Sequence, residues 1–137
     1  MARVDNSKEL FSATFPSSKV KRKKIIDIII NKINETPVSI NIKNHELYLI
    51  IDEAVSNAME HGNNWNPYKN VIISISTDDR SLIITFEDEG AGFDPEAIDK
   101  KSGSTRPRGR GIQIIKHFCE IKWNDKGNIA DLILKLQ

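Results

Sequence analysis

The sequence is short of several things, and each shortage excludes something. It has one cysteine, Cys119, so no disulfide can form within the chain, which suits a reducing compartment. Cys119 follows Phe118 near an expected helix end and has no CxxC partner, which favours a small buried hydrophobe over a reactive thiol. No stretch approaches the ~20 apolar residues of a membrane span. The opening MARVDNSKELF lacks the apolar core of a signal peptide, so a cytoplasmic protein without a membrane partner is expected. Net charge is almost absent, +1 from 20 basic and 19 acidic residues, which gives no overall reason to expect a nucleic-acid partner. There is no GxxxxGK[ST] phosphate loop and no complete dinucleotide fingerprint. His45, His61 and His117 show no HExxH or Cys/His zinc spacing.

What remains is 137 residues, 39% hydrophobic and 28% charged, enough for one globular domain over 1–137 with its own core. There is no internal repeat and no linker. ELFSATF (9–15) roughly alternates and reads as a strand, stopped by Pro16-Ser17-Ser18. Ser17 or Ser18 is expected to cap a helix over 19–34, in which Ile26, Ile29, Ile30 and Ile33 share one face. The run IIDIII could also be a strand, but its spacing and the preceding lysines favour helix. The tetrad Lys21-Arg22-Lys23-Lys24 reads most simply as a solvated first turn. A second helix is expected over 42–62, with Leu47, Ile51, Ala54, Val55 and Ala58 inward, and Gly62 as a left-handed cap.

The period then changes from 3.6 to 2. VIISIST (71–77) and SLIITFED (81–88) predict a hairpin; a glycine-, proline- and charge-rich stretch fills 89–108; a short helix starts near Gly109; EIKWND and IADLILKLQ predict a second hairpin. This pattern predicts an α+β fold, a two-layer α/β sandwich whose antiparallel or mixed sheet is covered by helices on one face.

Three elements could carry chemistry. In EAVSNAMEHGN, Glu53, Asn57 and His61 recur every four residues and could hold a divalent ion, a water or a hydroxyl. A neutral amide such as Asn57 suits Mg²⁺ only alongside phosphate oxygens and waters, and Glu53 could act as a general base. The alternative is an ordinary solvent face, which Glu46 and Glu60 share. In DEGAGF (88–93), Asp88 supplies an acceptor at the sheet's end, and Gly90 and Gly92 permit close backbone approach; a plain tight turn would read the same way. In RPRGRGIQII (106–115), glycines at a helix start offer free N–H groups to an anion, with Arg106, Arg108 and Arg110 adding charge, or the stretch is a basic loop.

The order of the three is more specific than any one of them. EAVSNAMEHGN, DEGAGF and RGRGI together resemble the N, G1 and G2 boxes of the GHKL ATP-binding domains, the group of gyrase, the heat-shock chaperone, histidine kinases and the mismatch-repair ATPase. The HGN ending and small size are most similar to the bacterial anti-sigma-factor serine/threonine kinases. The resemblance covers nearly the whole chain and implies the Bergerat fold, a mixed and mostly antiparallel sheet, with ATP and Mg²⁺ between helices and sheet. It implies that Asn57 holds Mg²⁺, that Glu53 is the general base, and that His61 and Asn63 lie beside the nucleotide. It further implies that Asp88 accepts a hydrogen bond from the adenine amino group, with Gly90 and Gly92 making room for the base. Gly109 and Gly111, flanked by Arg108 and Arg110, would meet the phosphates, and Pro95 to Arg108 would form an ATP lid. That lid is short and basic (Lys100, Lys101, Arg106, Arg108, Arg110), fit to clamp a triphosphate or to grip an acidic partner.

The expectation is therefore a kinase that phosphorylates a small antagonist protein and also binds a sigma factor, with homodimerisation a family trait. The alternatives are a non-catalytic, nucleotide-gated binding module and a histidine-kinase catalytic domain acting in trans. The intact Glu53 argues against the first, and the lack of a helix pair bearing a phospho-accepting histidine argues against the second. Gyrase-like and chaperone-like ATPases need a transducing domain for which this chain has no room.

Overall fold

The computed structural model describes residues 7–92 and 107–137. Among these residues five strands and three α-helices follow in the order β1 (Lys8–Pro16), α1 (Arg22–Glu35), α2 (Asn44–Ser56), β2 (Asn70–Thr77), β3 (Ser81–Glu87), α3 (Pro107–Phe118), β4 (Glu120–Trp123) and β5 (Ile129–Lys135). The sheet runs β1-β2-β3-β5-β4, and every described pairing is antiparallel, so of the two sheets the sequence allows, mixed or antiparallel, it is the antiparallel one. This is the expected α+β sandwich.

Register explains why the core lies on one face. Phe11, Ile75, Ile84, Leu132 and Ile121 stand opposite one another across five strands, as do Ala13, Ile73, Phe86, Ala130 and Trp123. Alternation sends both rows to the same side. There they meet Ile25, Ile26, Ile29, Ile30 and Ile33 of α1 and Leu47, Ile50, Ile51, Ala54 and Val55 of α2, all buried. Burial of each such isoleucine is worth on the order of 2 kcal/mol, which overrides the β-propensity of IIDIII and makes it a helix. On the opposite face the row is Ser12, Ser74, Thr85, Asp131 and Lys122. α2 packs against both α1 and α3 and is the central helix.

Two expectations need correction. Helix α1 starts at Arg22, not at 19; Ser18 Oγ accepts a bond from the Lys21 N–H at 3.2 Å in the turn before it. Ser17 caps nothing: it is 1% exposed and its hydroxyl is held by Asn63. Nor does the second helix run unbroken to 62. α2 ends at Ser56 and continues as a π-helical segment, Asn57–Gly62, closed by the Asn63 N–H on the Ala58 carbonyl at 2.9 Å. The wider turn buries Ala58 and Met59 side by side, and such segments recur at functional sites. Asn64 and Trp65, both at φ 55°, then reverse the chain. The Lys19 ammonium, 5.4 Å from the Trp65 ring centroid, lies over that turn.

Candidate functional site

At the end of β3 the chain needs an acceptor held without water. Asp88 is 6% exposed. Its Oδ1 accepts the Gly90 N–H at 2.8 Å. Its backbone is clasped by Asn128, whose carbonyl accepts the Asp88 N–H at 3.0 Å and whose Nδ2 donates to the Asp88 carbonyl at 3.2 Å. Gly62 lies against this carboxylate so closely that a Cβ there would overlap it, and a Cβ on Gly90 would overlap the Gly62 carbonyl. Glycine at 62 is therefore required by close approach. The expected left-handed cap is absent, and the left-handed turn falls on Asn64 and Trp65 instead.

Gly92 does need its conformation, φ 86°, and rests on the Lys126 carbonyl of the β4–β5 turn. That turn is ordered by Asn124, whose Oδ1 accepts from the N–H groups of Gly127, Asn128 and Ile129 at 2.9 to 3.1 Å.

A second cluster forms where α2 meets α3. A Cβ on Gly111 would lie 2.5 Å from Glu53 Oε1 and 3.6 Å from Asn57 Oδ1, so α3 approaches the two side chains with bare backbone. Glu53 is half-buried, and loss of water raises its pKa, against the opposing pull of the Arg22 and Arg110 charges. Arg22 is held beside it by Asp52 and, at 3.2 Å, by Ser56 Oγ. Neither Arg22 nor Asn128 stands out in the sequence as a site residue; a basic tetrad and a turn asparagine carry no signal until the fold places them.

Asn57 and Asp88, one from each cluster, line one cleft between the helices and the sheet. Its walls include Asn57 and Asp88 with Ala58, Phe86, Ile115 and Trp123, and it encloses only about 20 Å³ before opening to solvent. An apolar slot with a few convergent polar groups is the usual form of a small-molecule site.

The other candidates sit apart from that convergence or only at its edge. His61 is half-buried on the π-helical segment. Asn63 is buried, and its amide bonds to Ser17, the Asn70 carbonyl and the Glu89 N–H. α3 begins at Pro107, so Gly109 lies in its first turn and Gly111 in its second. Gly111 is thus placed for close packing rather than as a free loop amide. Arg110 is exposed. Of the lid expected over Pro95 to Arg108, residues 95–106, with Lys100, Lys101 and Arg106, lie outside the described residues.

A Mg²⁺ ion would find few protein ligands among the described residues. Among the described residues no three His, Cys, Asp or Glu side chains group to hold a metal, whereas Asn57 Oδ1 and the Glu53 carboxylate both lie against Gly111. Such a pair suits an ion that takes most of its ligands from phosphate and water.

Residues 28–134 match the model of the histidine kinase-like ATPase domain family, and the chain belongs to that family. Curated relatives are anti-sigma F factors: 32% identical over 80 residues in Bacillus licheniformis, 34% in Geobacillus stearothermophilus and 32% in Bacillus subtilis strain 168, with 55% of each chain covered in every case. The chain thus spans about half the length of the curated relatives it matches. Among solved structures, the histidine kinase domain of the Erythrobacter litoralis EL346 blue-light activated histidine kinase aligns over 98% of this chain and 69% of its own. Its TM-score is 0.50 at 16% identity, a likeness of fold alone. Among the described residues no helix is long and apolar enough to cross a membrane.

Proposed function

We propose that the chain is a single-domain, cytoplasmic, ATP-dependent serine/threonine protein kinase and anti-sigma factor, whose substrate is a small antagonist protein. One observation supports the reading: Asp88 and Asn57 line one cleft, with Glu53 four residues before Asn57 on the same helical run. The kinship with anti-sigma F factors supports the partner class.

In this reading the adenine amino group donates to Asp88, and the apolar walls from Ala58, Phe86 and Ile115 cover the ring. Asn57 and phosphate oxygens would hold Mg²⁺, which when bound neutralises charge on the triphosphate. The first turn of α3, with Gly109, presents N–H groups to the phosphates, and Arg108 and Arg110 add positive charge. Glu53 accepts the proton of the acceptor hydroxyl as its oxygen bonds to the γ-phosphorus. The bond from the γ-phosphorus to the bridging oxygen breaks, and ADP leaves. Positioning and charge neutralisation do most of the work in such transfer, and a carboxylate whose pKa is raised by burial is the better base near neutrality.

Incubation with γ-labelled ATP, Mg²⁺ and the small acidic proteins that co-purify tests the reading. Acid-stable label on a serine or threonine of such a partner is expected. Mg-dependent binding with no transfer to any partner would favour a nucleotide-gated binding module, and acid-labile label would favour a histidine kinase acting in trans. Asn57→Ala should abolish Mg-ATP binding, whereas Glu53→Ala should retain binding and lose transfer; calorimetric titration of both checks the pair.

A further inference from the structure

We propose that Asn63 is a positioning residue that sets the base-recognising wall of the cleft, by tying the Asp88–Gly90 loop to the β1–α1 turn. This rests on the reading of the cleft as an ATP site. Asn63 is 1% exposed and stands where three segments cross. Its Nδ2 donates to Ser17 Oγ at 2.9 Å and to the Asn70 carbonyl at 2.9 Å, and its Oδ1 accepts the Glu89 N–H at 2.8 Å. An amide has two N–H donors, and both are used within the protein, so Asn63 has none left to offer a ligand. What it does instead is fix Glu89, the residue between Asp88 and Gly90.

The lock has further parts. The Glu89 carboxylate accepts the Asn70 N–H, a second tie between the same loop and the start of β2. Ser17 is itself 1% exposed, and its N–H donates to the Lys69 carbonyl at 3.2 Å. Asp88, Gly62 and Gly90 touch with no room for a Cβ, so a displacement of Glu89 by a few tenths of an ångström must be passed to its two neighbours. Removing the amide leaves the buried Ser17 Oγ and the part-buried Glu89 N–H and Asn70 carbonyl to find new partners, which loosens the loop rather than merely deleting a contact. The phosphate end, built from Asn57 and α3, shares none of these bonds.

The effect should therefore fall on the base and spare the triphosphate. Dissociation constants for Mg-ATP and Mg-GTP, which differ only at the base, are measured for the wild type, Asn63→Ala and Ser17→Ala, well below each melting temperature. Asn63→Ala should weaken ATP about tenfold, the scale of one buried hydrogen bond, with GTP little changed, so that the preference for ATP shrinks. Ser17→Ala keeps the bond to Glu89 and folds more readily; a loss of a few-fold, in ATP only, is expected. Equal loss of both nucleotides, or unchanged affinity with only a lowered melting temperature, would make Asn63 a purely structural residue and overturn the proposal. A wild type that binds neither nucleotide would instead overturn the ATP reading on which the proposal stands.

Discussion

The two ends of the cleft are built in different ways. At the Asp88 end Asp88, Gly90 and Asn63 are buried and the partners are fixed: Asn128 holds the backbone, Gly62 and Gly90 wedge the carboxylate, and Asn63 locks the loop. At the Glu53–Asn57 end the groups are half-buried, and charge does what packing does opposite, with Arg22 and Arg110 set against the desolvation of Glu53. In the proposed reading, shape is fixed in advance where a planar base is discriminated, and charge is left adjustable where phosphate, metal and an incoming hydroxyl are exchanged. Preorganised polar walls cost little at the moment of binding, whereas a mobile charged group can follow a reaction.

The contrast can be broken by substituting glycines. Gly90→Ala should have the largest effect, because the new Cβ would strike the Gly62 backbone carbonyl, which cannot swing away. A loss of about 3 kcal/mol, at the upper end for overpacking, is expected in urea unfolding. Gly111→Ala meets only the end of the Glu53 side chain, and alanine gains up to about 1 kcal/mol of helix propensity over glycine. Its stability should stay within about 1 kcal/mol of wild type while phosphotransfer falls, since Glu53 is pushed aside. If the two alanine variants were equally destabilised, the difference between the ends would vanish.

A smaller effect separates burial from charge at Glu53. Its folded pKa is raised above the ordinary 4.5, so the folded chain holds this proton more tightly than the unfolded chain. That contribution is full below the unfolded value and is lost as pH rises through the folded one. Glu53→Gln cannot ionise. The melting temperature of the variant minus that of wild type should therefore climb as pH goes from about 4 to about 7; a flat difference would mean Glu53 is as well solvated as in the open chain. The smallest expected effect is at Cys119, whose thiol is pushed up to about 12 by burial and by Glu120. It should resist alkylation at about pH 8 in the folded state, since the thiolate is the reactive form.

Much of this was legible in the sequence, for definable reasons. Ile26, Ile29, Ile30 and Ile33 repeat with the helical period, and the β2–β3 hairpin alternates cleanly, so each element follows from one-dimensional spacing. What escaped was whatever depends on a second segment. The π-helical segment keeps an α-like polarity pattern through Ala58 and Met59, and nothing in NAMEHG announces the extra residue per turn. Ser17 looks like a cap because its hydroxyl precedes a helix, but its partner lies 46 residues away at Asn63. Gly62 reads in the sequence as a left-handed cap, whereas its reason is the Asp88 carboxylate 26 residues on. Asn128 had no signal beyond a turn, because its function is to hold another strand's end. Glu53, Asn57 and Asp88 were picked out from their spacing and from the order of three motifs; that Asn57 and Asp88 share one cleft is the structure's contribution.

The most direct measurement is a two-dimensional amide spectrum of labelled protein titrated with Mg-ATP. The account predicts that the Gly90 backbone amide and the Asn57 side-chain amide move together, with one dissociation constant, because a single nucleotide spans both ends. Saturating ATP that moves neither signal, or moves only residues away from the cleft, would contradict it.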